Sequence, residues 1–341
     1  MKVLSLVIPS YNSEQYLEKC ILSLLAPEIL DKLDIIIVND GSTDRTADVA
    51  EKYCTMYPDS VRLISQSNKG HGGALNAGFA LAAGKYLKAI DADDYVENLP
   101  QFVRLLETCE SDVVLTHYHT VNITTGVIEN WKSFPKKFGR SYTLDEIMTD
   151  WKRFDRSLTF HGIAYKTTFY HQHGIRLSEH VFYEDHEYAV IPCCYAKEVT
   201  PFDLFLYDYR VGDIQQSVSN VNQLRRISHT EAVLKRLFQE YDSLACGSSG
   251  KSYATMKIQG LLLSYLTTVL LAEPDKKRGR RLAEARMAEC KAGAPGAYAL
   301  VYRKYQVLRV MNRLHISKEA WQSFLHSRVY NALRGNRGFD E

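Results

Sequence analysis

Four short apolar runs, at residues 4–8, 34–38, 61–65 and 86–90, recur through the first hundred residues, and the longer stretches between them carry apolar positions at helical spacing. This rhythm of strand, helix and strand predicts βαβ units and an α/β fold with a mainly parallel sheet. The intervening helices are expected over residues 13–25, 43–57 and 73–83, with Ser13 and Thr43 as N-caps. In such sheets ligands bind beyond the carboxyl ends of the strands. The loops that matter are then 9–13, 39–44, 68–73 and 91–94.

Each of these loops is polar in its own way. Pro9-Ser10-Tyr11-Asn12 presents a ring and an amide after the first strand, and Asn39-Asp40-Gly41-Ser42-Thr43-Asp44 sets a carboxylate after the second. A carboxylate there can accept from a nucleobase imide or a ribose hydroxyl. The third loop, Asn68-Lys69-Gly70-His71-Gly72-Gly73, is rich in glycine, which lets backbone approach a ligand and opens a helix. After the fourth strand come Asp91, Asp93 and Asp94, three carboxylates whose mutual repulsion calls for a cation or a donor-rich ligand. Oxygen-rich clusters of this kind suit Mg2+ or Mn2+ carrying a phosphate-bearing substrate. Taken singly, the second and third loops also read as an ordinary turn with a helix cap and as a flexible loop.

The four motifs in this order, P-x-Y-N, N-D-G-S-x-D, N-x-G-x-x-x-A-x-N-x-G and D-x-D-D, all within residues 3–94, resemble the inverting family 2 glycosyltransferases. The resemblance implies a GT-A fold, a nucleotide-sugar donor, a surface-glycan product and an Mn2+ or Mg2+ cofactor. By that carry-over Pro9, Tyr11 and Asp40 face the nucleotide, Asn68 and Lys69 lie near the base, and Asp91 and Asp93 serve ribose and metal. Leu75 departs from the pattern, since the family often has Arg before the Asn at position 76.

An inverting transfer needs a carboxylate to take the acceptor proton and a cation to absorb charge on the leaving diphosphate. Glu184-Asp185, flanked by aromatics and expected to start a helix, matches the family's E-D motif; Asp185 is the expected base and Glu184 its acceptor-orienting partner. Acids in a helix first turn are also favoured by the dipole alone. Tyr207-Asp208-Tyr209-Arg210, with Ser217 beyond it, resembles the segment that ends the catalytic domain; Arg210 and Ser217 are expected to close on the diphosphate. Arg210 has a structural alternative in ion pairs to Asp208 or Asp213. No Q-x-x-R-W follows, which points to transfer of one sugar rather than processive synthesis. His161 is read either as an acceptor-pocket residue or as a structural histidine, and the spacing of the histidines from 161 to 186 fits no zinc site.

The expected division is a catalytic domain over 1–218, itself a nucleotide-sugar half (1–98) and an acceptor half (99–218), followed by a mostly helical region over 219–341. In that last part, from Lys251 onward, 17 Lys and Arg stand against 7 Asp and Glu, a net +10. Such a basic surface is either a solvated helical face or a seat for anionic lipid headgroups at the inner face of a membrane. The apolar run at 258–272 falls short of the roughly twenty residues a spanning helix needs. Seven scattered cysteines without C-x-x-C spacing fit a reducing, cytoplasmic setting, and the first strand starts too early and ends too polar to be a signal peptide. Partners are expected to be a UDP-sugar and a glycan or lipid-linked acceptor, not nucleic acid; helix faces in the last third can pair subunits or cover the acceptor half. Two other readings compete: a sugar nucleotidyltransferase, and a non-catalytic glycan- or membrane-binding protein. Neither a dinucleotide-binding G-x-G-x-x-G nor a Walker loop is present.

Overall fold

The computed structural model describes residues 1–212 and 220–325. They form two compact units, Met1–Gln216 with Leu244–Ala254, and Ser217–Ser243 with Thr255–Glu341.

The first unit is built on one mixed sheet. Its strands are β1 (Leu4–Ser10), β2 (Leu33–Asp40), β3 (Val61–Gln66), β4 (Tyr86–Ala89), β5 (Tyr95–Val96), β6 (Val113–Asn122), β7 (Ile128–Trp131), β8 (Tyr142–Thr143), β9 (Ile163–Lys166) and β10 (Glu198–Val211). They lie in the order β3-β2-β1-β4-β9-β6-β10-β5, with β7 beside β6 and β8 beside β10. Pairing is parallel across β3, β2, β1 and β4, and again between β6 and β10, while β5, β7, β8 and β9 join antiparallel. Every residue of β1 and β2 is buried, as expected of parallel strands covered by helices on both faces.

Those helices are α1 (Leu17–Leu24), α2 (Thr46–Met56), α3 (Gly70–Ala80), α4 (Leu99–Thr108), α5 (Leu144–Thr149), α6 (Thr167–Gln172) and α7 (Asp185–Val190). Helices α1 and α2 fall within the stretches expected from periodicity, and α3 begins and ends three residues early. Neither Ser13 nor Thr43 caps a helix. The N-cap position of α2 is Arg45, and Asp44 just before it accepts from the Thr46 N–H at 3.0 Å and from the Thr46 hydroxyl at 2.5 Å. Asn12 instead ties the first two loops together, its Oδ1 accepting from the Thr43 N–H at 2.9 Å.

Strands β1, β2 and β3 run to one side, and β4 then returns to the other flank of β1. This reversal opens a crevice at the carboxyl ends of β1 and β4. Asp91 stands just beyond the end of β4, at that crevice.

The second unit is helical: α8 (Asn220–Arg225), α9 (Ile227–Ser243), the continuation of α10 (Ser249–Thr267), α11 (Lys276–Gly293), α12 (Pro295–Arg313) and α13 (Lys318–Leu325). Helix α10 runs on through a π-turn at Thr268–Ala272. The continuous stretch Ser249–Ala272, 24 residues, is long and apolar enough to cross a membrane, and so exceeds the run expected from the sequence. Its Ile258, Leu262, Leu266 and Val269 are fully buried, the packing of a core helix. Asn312, also fully buried, donates to the Leu270 carbonyl at 2.6 Å and accepts from Arg280 at 2.6 Å, which satisfies its amide.

Candidate active site

Helix α3 opens on the glycines of the third loop. Gly70 has φ +77°, and a Cβ on Gly72 would lie 2.3 Å from the Ser178 carbonyl oxygen and 2.9 Å from Glu184 Cγ. The close approach these glycines permit is therefore to the chain's own 177–184 segment. Asn76, one turn further on, grips that segment at both backbone groups of Leu177, at 2.8 and 2.9 Å. Glu187, fully buried, accepts from the N–H and hydroxyl of Ser178. Two stretches a hundred residues apart in sequence are thus locked side by side.

Between them stands His71. Its Nε2 lies 2.8 Å from Asp91 Oδ1, and its Nδ1 is bonded to Glu184 Oε1. Burial alone would push the imidazole down, but the Glu184 and Asp91 charges and hydrogen bonds outweigh it and hold His71 well above its usual range. His71 is then an imidazolium bridging two carboxylates. In return, burial pushes the Asp91 carboxyl up, yet the His71 charge prevails and brings it below its ordinary value.

The remaining acids have different surroundings. Asp94 is buried; its oxygens accept from the Tyr207 hydroxyl at 2.7 Å and the Arg210 N–H at 2.8 Å, while burial and the charges of Asp91 and Asp93 keep its carboxyl well above the carboxylate range. Among the described residues Asp93 has no side-chain donor of this kind, and burial with the Asp91 charge raises it to about 6. One oxygen each of Asp91 and Asp94 and one nitrogen of His161 lie within 4.8 Å of one another. His161 stacks on Tyr209 at 4.1 Å between ring centroids, and burial lowers it to about 4. Behind them Lys88 donates to the His161 and Ile163 carbonyls at 2.6 and 3.0 Å, and burial brings its ammonium down to about 7.

Asp185 opens α7, near enough to His161 and Tyr209 for its charge to raise both. Its Oδ1 is buried with no hydrogen-bond partner among the described residues. The Tyr209 phenol feels the whole set: burial first, then the charges of Asp94, Asp91, Asp185 and Asp93 push it up.

The nucleotide-side residues lie at the ends of β1 to β3. Asp40 is buried, and its Oδ1 accepts from Gln66 at 2.7 Å and from the Lys69 N–H at 2.9 Å, while Asn68 donates to its carbonyl. Pro9 is buried at the end of β1; Tyr11, Asn68 and Lys69 are exposed beyond the strand ends. Arg210 donates to the Asp93 carbonyl at 3.0 Å and lies over the rings of Tyr16 and Tyr95. Ser217 and Asp213 lie outside the described residues.

The residue that sequence reasoning missed is His71. Only its position in the first turn of a motif helix, after three small or polar residues, marks it as more than loop filler. Tyr207 and Lys88 were equally silent.

Comparison with known proteins bears on the same segment. The family model described as glycosyl transferase family 2 matches residues 5–182, more than half of the chain. The chain belongs to that family. The matched model is that of a glycosyltransferase rather than of a nucleotidyltransferase. A glycosyltransferase of Bacillus subtilis, EpsJ, is 40% identical over 110 residues, 32% of this chain and 31% of that protein. The chondroitin synthase of Escherichia coli is 38% identical over 121 residues, 35% of this chain and 17% of that protein. The chain's matches span about a third of the length of the first curated relatives.

Among solved structures, residues 1–349 of S. aureus TarS superpose with a TM-score of 0.62 at 19% identity, over 100% of this chain and 93% of that one. TarS has also been solved with UDP-GlcNAc, and that complex superposes at 0.59. The mannosyltransferase PcManGT of Pyrobaculum calidifontis, solved with GDP-Man and Mn2+, superposes at 0.52 with 15% identity, over 95% of this chain and 88% of that one. These likenesses establish a GT-A type, Rossmann-like fold for this family 2 chain.

Proposed function

We propose that this enzyme moves one sugar from a UDP-sugar to a hydroxyl of a glycan or lipid-linked acceptor, with inversion at the anomeric carbon, and that Asp185 is the base. The observation that carries the reading is the Oδ1 of Asp185, buried and without a partner among the described residues, whose charge reaches the same His161 and Tyr209 that Asp91 does. Asp185 takes the proton from the acceptor hydroxyl as that oxygen attacks the anomeric carbon. The bond from that carbon to the diphosphate oxygen breaks, and its electron pair leaves with the nucleotide. His71 bridges Glu184 and Asp91 and holds them at fixed separation. Residues 1–218 would do this chemistry, the 1–98 half taking the nucleotide and the 99–218 half the acceptor. Pro9, Tyr11, Asp40, Asn68 and Lys69 are proposed for the nucleotide, Arg210 and Ser217 for the diphosphate.

The residues fit a hard divalent ion. Asp93 retains a raised pKa with no side-chain donor among the described residues, and Asp91 has one oxygen left after its bond to His71, so these two would hold Mn2+ or Mg2+, with Asp94 and His161 adjacent. When bound, the ion offsets charge developing on the departing diphosphate. UDP and Mn2+ are supported by the presence of UDP-GlcNAc in TarS and of Mn2+ in PcManGT. A thermal-shift screen of nucleotide sugars tests the donor. At one hundred times its Kd a UDP-sugar with Mn2+ should add about 2.7 kcal/mol, a rise on the order of 5–10 °C. A rise with GDP-sugars alone, or one indifferent to chelator, would overturn the assignment.

We further propose that the helical region, residues 219–341, rests on an anionic membrane at the cytoplasmic face. Leu300, Val307, Val310 and Leu314 share one side of α12 and its end, each about half exposed or more, with exposed Arg303, Lys304 and Arg313 beside them. The full chain should float with phosphatidylglycerol vesicles and not with phosphatidylcholine, and V307E/V310E should stay behind. Wild-type protein that fails to float, or a variant that floats equally well, would remove the proposal.

A further inference from the structure

Side chains alternate along a strand, so Asp208 points away from the sheet face that carries Tyr207 and Tyr209 toward the acidic crevice. On that reverse face it meets two other ligand types. His119 is its register partner on β6, and Glu97 follows directly on β5, its N–H bonded to the Leu206 carbonyl of β10 at 3.0 Å. Three adjacent strands each deliver one group. One ligand atom from each residue lies within 4.8 Å of the other two, and Glu97 Oε1 is 3.2 Å from His119 Nε2. That separation is the edge of a coordination polyhedron with bonds of about 2.0–2.2 Å.

The histidine is oriented as a ligand would be. Its Nδ1 donates to Asn130 Oδ1 at 2.8 Å, and its ring stacks on Phe205 at 4.1 Å between centroids with 3° between planes. An amide oxygen only accepts, so Nδ1 carries a proton, and Nε2 is the nitrogen turned toward Glu97 Oε1. Among the described residues no Lys or Arg forms an ion pair with Glu97 or Asp208, and His119 is the group that faces both. Burial raises both carboxyls, and the Asp208 charge adds to this at Glu97, against the lowering that His119 exerts on each.

We propose that Glu97, His119 and Asp208 form a second, structural site for a divalent transition ion such as Zn2+, on the sheet face opposite the transfer site. One nitrogen and two oxygens suit such an ion better than Mg2+, and a water can complete the shell. The bound ion clamps β5, which begins at the residue after Asp94, to β6 and β10. The site thereby restrains the exit of the acidic loop without touching the donor.

Titration of the full chain with Co2+ in excess Mg2+ tests this. One equivalent should produce a visible d–d absorption, be displaced by Zn2+, and raise the melting temperature by several degrees. E97Q and H119A should each weaken Co2+ binding about tenfold or more, while D93N, which removes a proposed ligand of the catalytic ion, should keep the absorption. Absence of the band, or a band lost in D93N and intact in H119A, would overturn the site. Should H119A fail to fold, E97Q decides the matter alone, since Glu97 is partly exposed and unchanged Co2+ affinity in that variant is incompatible with ligation. A neutral or protonated His119 that ignores Zn2+ in nitrogen-15 spectra would reduce the cluster to an ordinary ion pair.

Discussion

Replacing Asp185 by Asn should leave the Kd for a UDP-sugar unchanged and cut turnover by about 100- to 10,000-fold, the usual contribution of a positioned general base. Asn has the shape of Asp and can still occupy the start of α7, but its amide cannot take a proton. Because the Asp185 Oδ1 makes no hydrogen bond in the described structure, the substitution breaks no existing contact there. A fall in turnover then reports chemistry rather than misfolding. Calorimetry gives the donor affinity, and UDP release, first with water as acceptor and then with glycan acceptors, gives the rate. A variant that releases UDP at the wild-type rate would exclude Asp185 as the base.

His71→Ala should be costly in a different way. The Glu184 side chain is 4% exposed and depends on His71 for its counter-charge, and removing one partner of a buried pair costs about 3–5 kcal/mol. His71 is itself 35% exposed, which places the loss at the lower end of that range. A loss of about 3 kcal/mol lowers the melting temperature by roughly 6–12 °C. The pH dependence has a definite sign. The His71 pKa is raised in the folded state, so its contribution is fully present below the ordinary imidazole value of about 6.5, and it disappears as pH rises through the folded value. The stability gap between wild type and H71A should therefore narrow in alkaline buffer. A gap that widens there, or a variant as stable as wild type at neutral pH, would show that His71 is not the bridging cation.

The half of the fold that was legible in the sequence is the half governed by local rules. Strands β1 to β4 are short, β-branched and separated by periodic helices, and each ends in a polar loop, so the crevice could be placed from residues 1–94 alone. The acceptor half resisted because its pairings are long-range. Strand β9 is four residues set between β4 and β6, and β10 runs fourteen residues with two register shifts, features that no periodicity announces. The polar stretch after Thr124 conceals β7, whose four residues are all exposed on an edge and so lack alternation. Within the site, Asp91 and Asp185 stood out because carboxylates in such loops demand an explanation. His71 did not, because its importance lies in a bridge to Glu184 across 113 positions of sequence. The glycines around it were read as serving a ligand, whereas they make room for the 177–184 segment.

All of these readings depend on the acids beyond β4 acting together on a metal-bound nucleotide. The most direct measurement is isothermal calorimetry of UDP binding, with Mn2+ and with chelator, for wild type and Asp93→Ala. Wild type should bind UDP more tightly when Mn2+ is present, and D93A should bind weakly and equally in both conditions. Mn2+-enhanced UDP binding of wild-type strength in D93A would contradict the account.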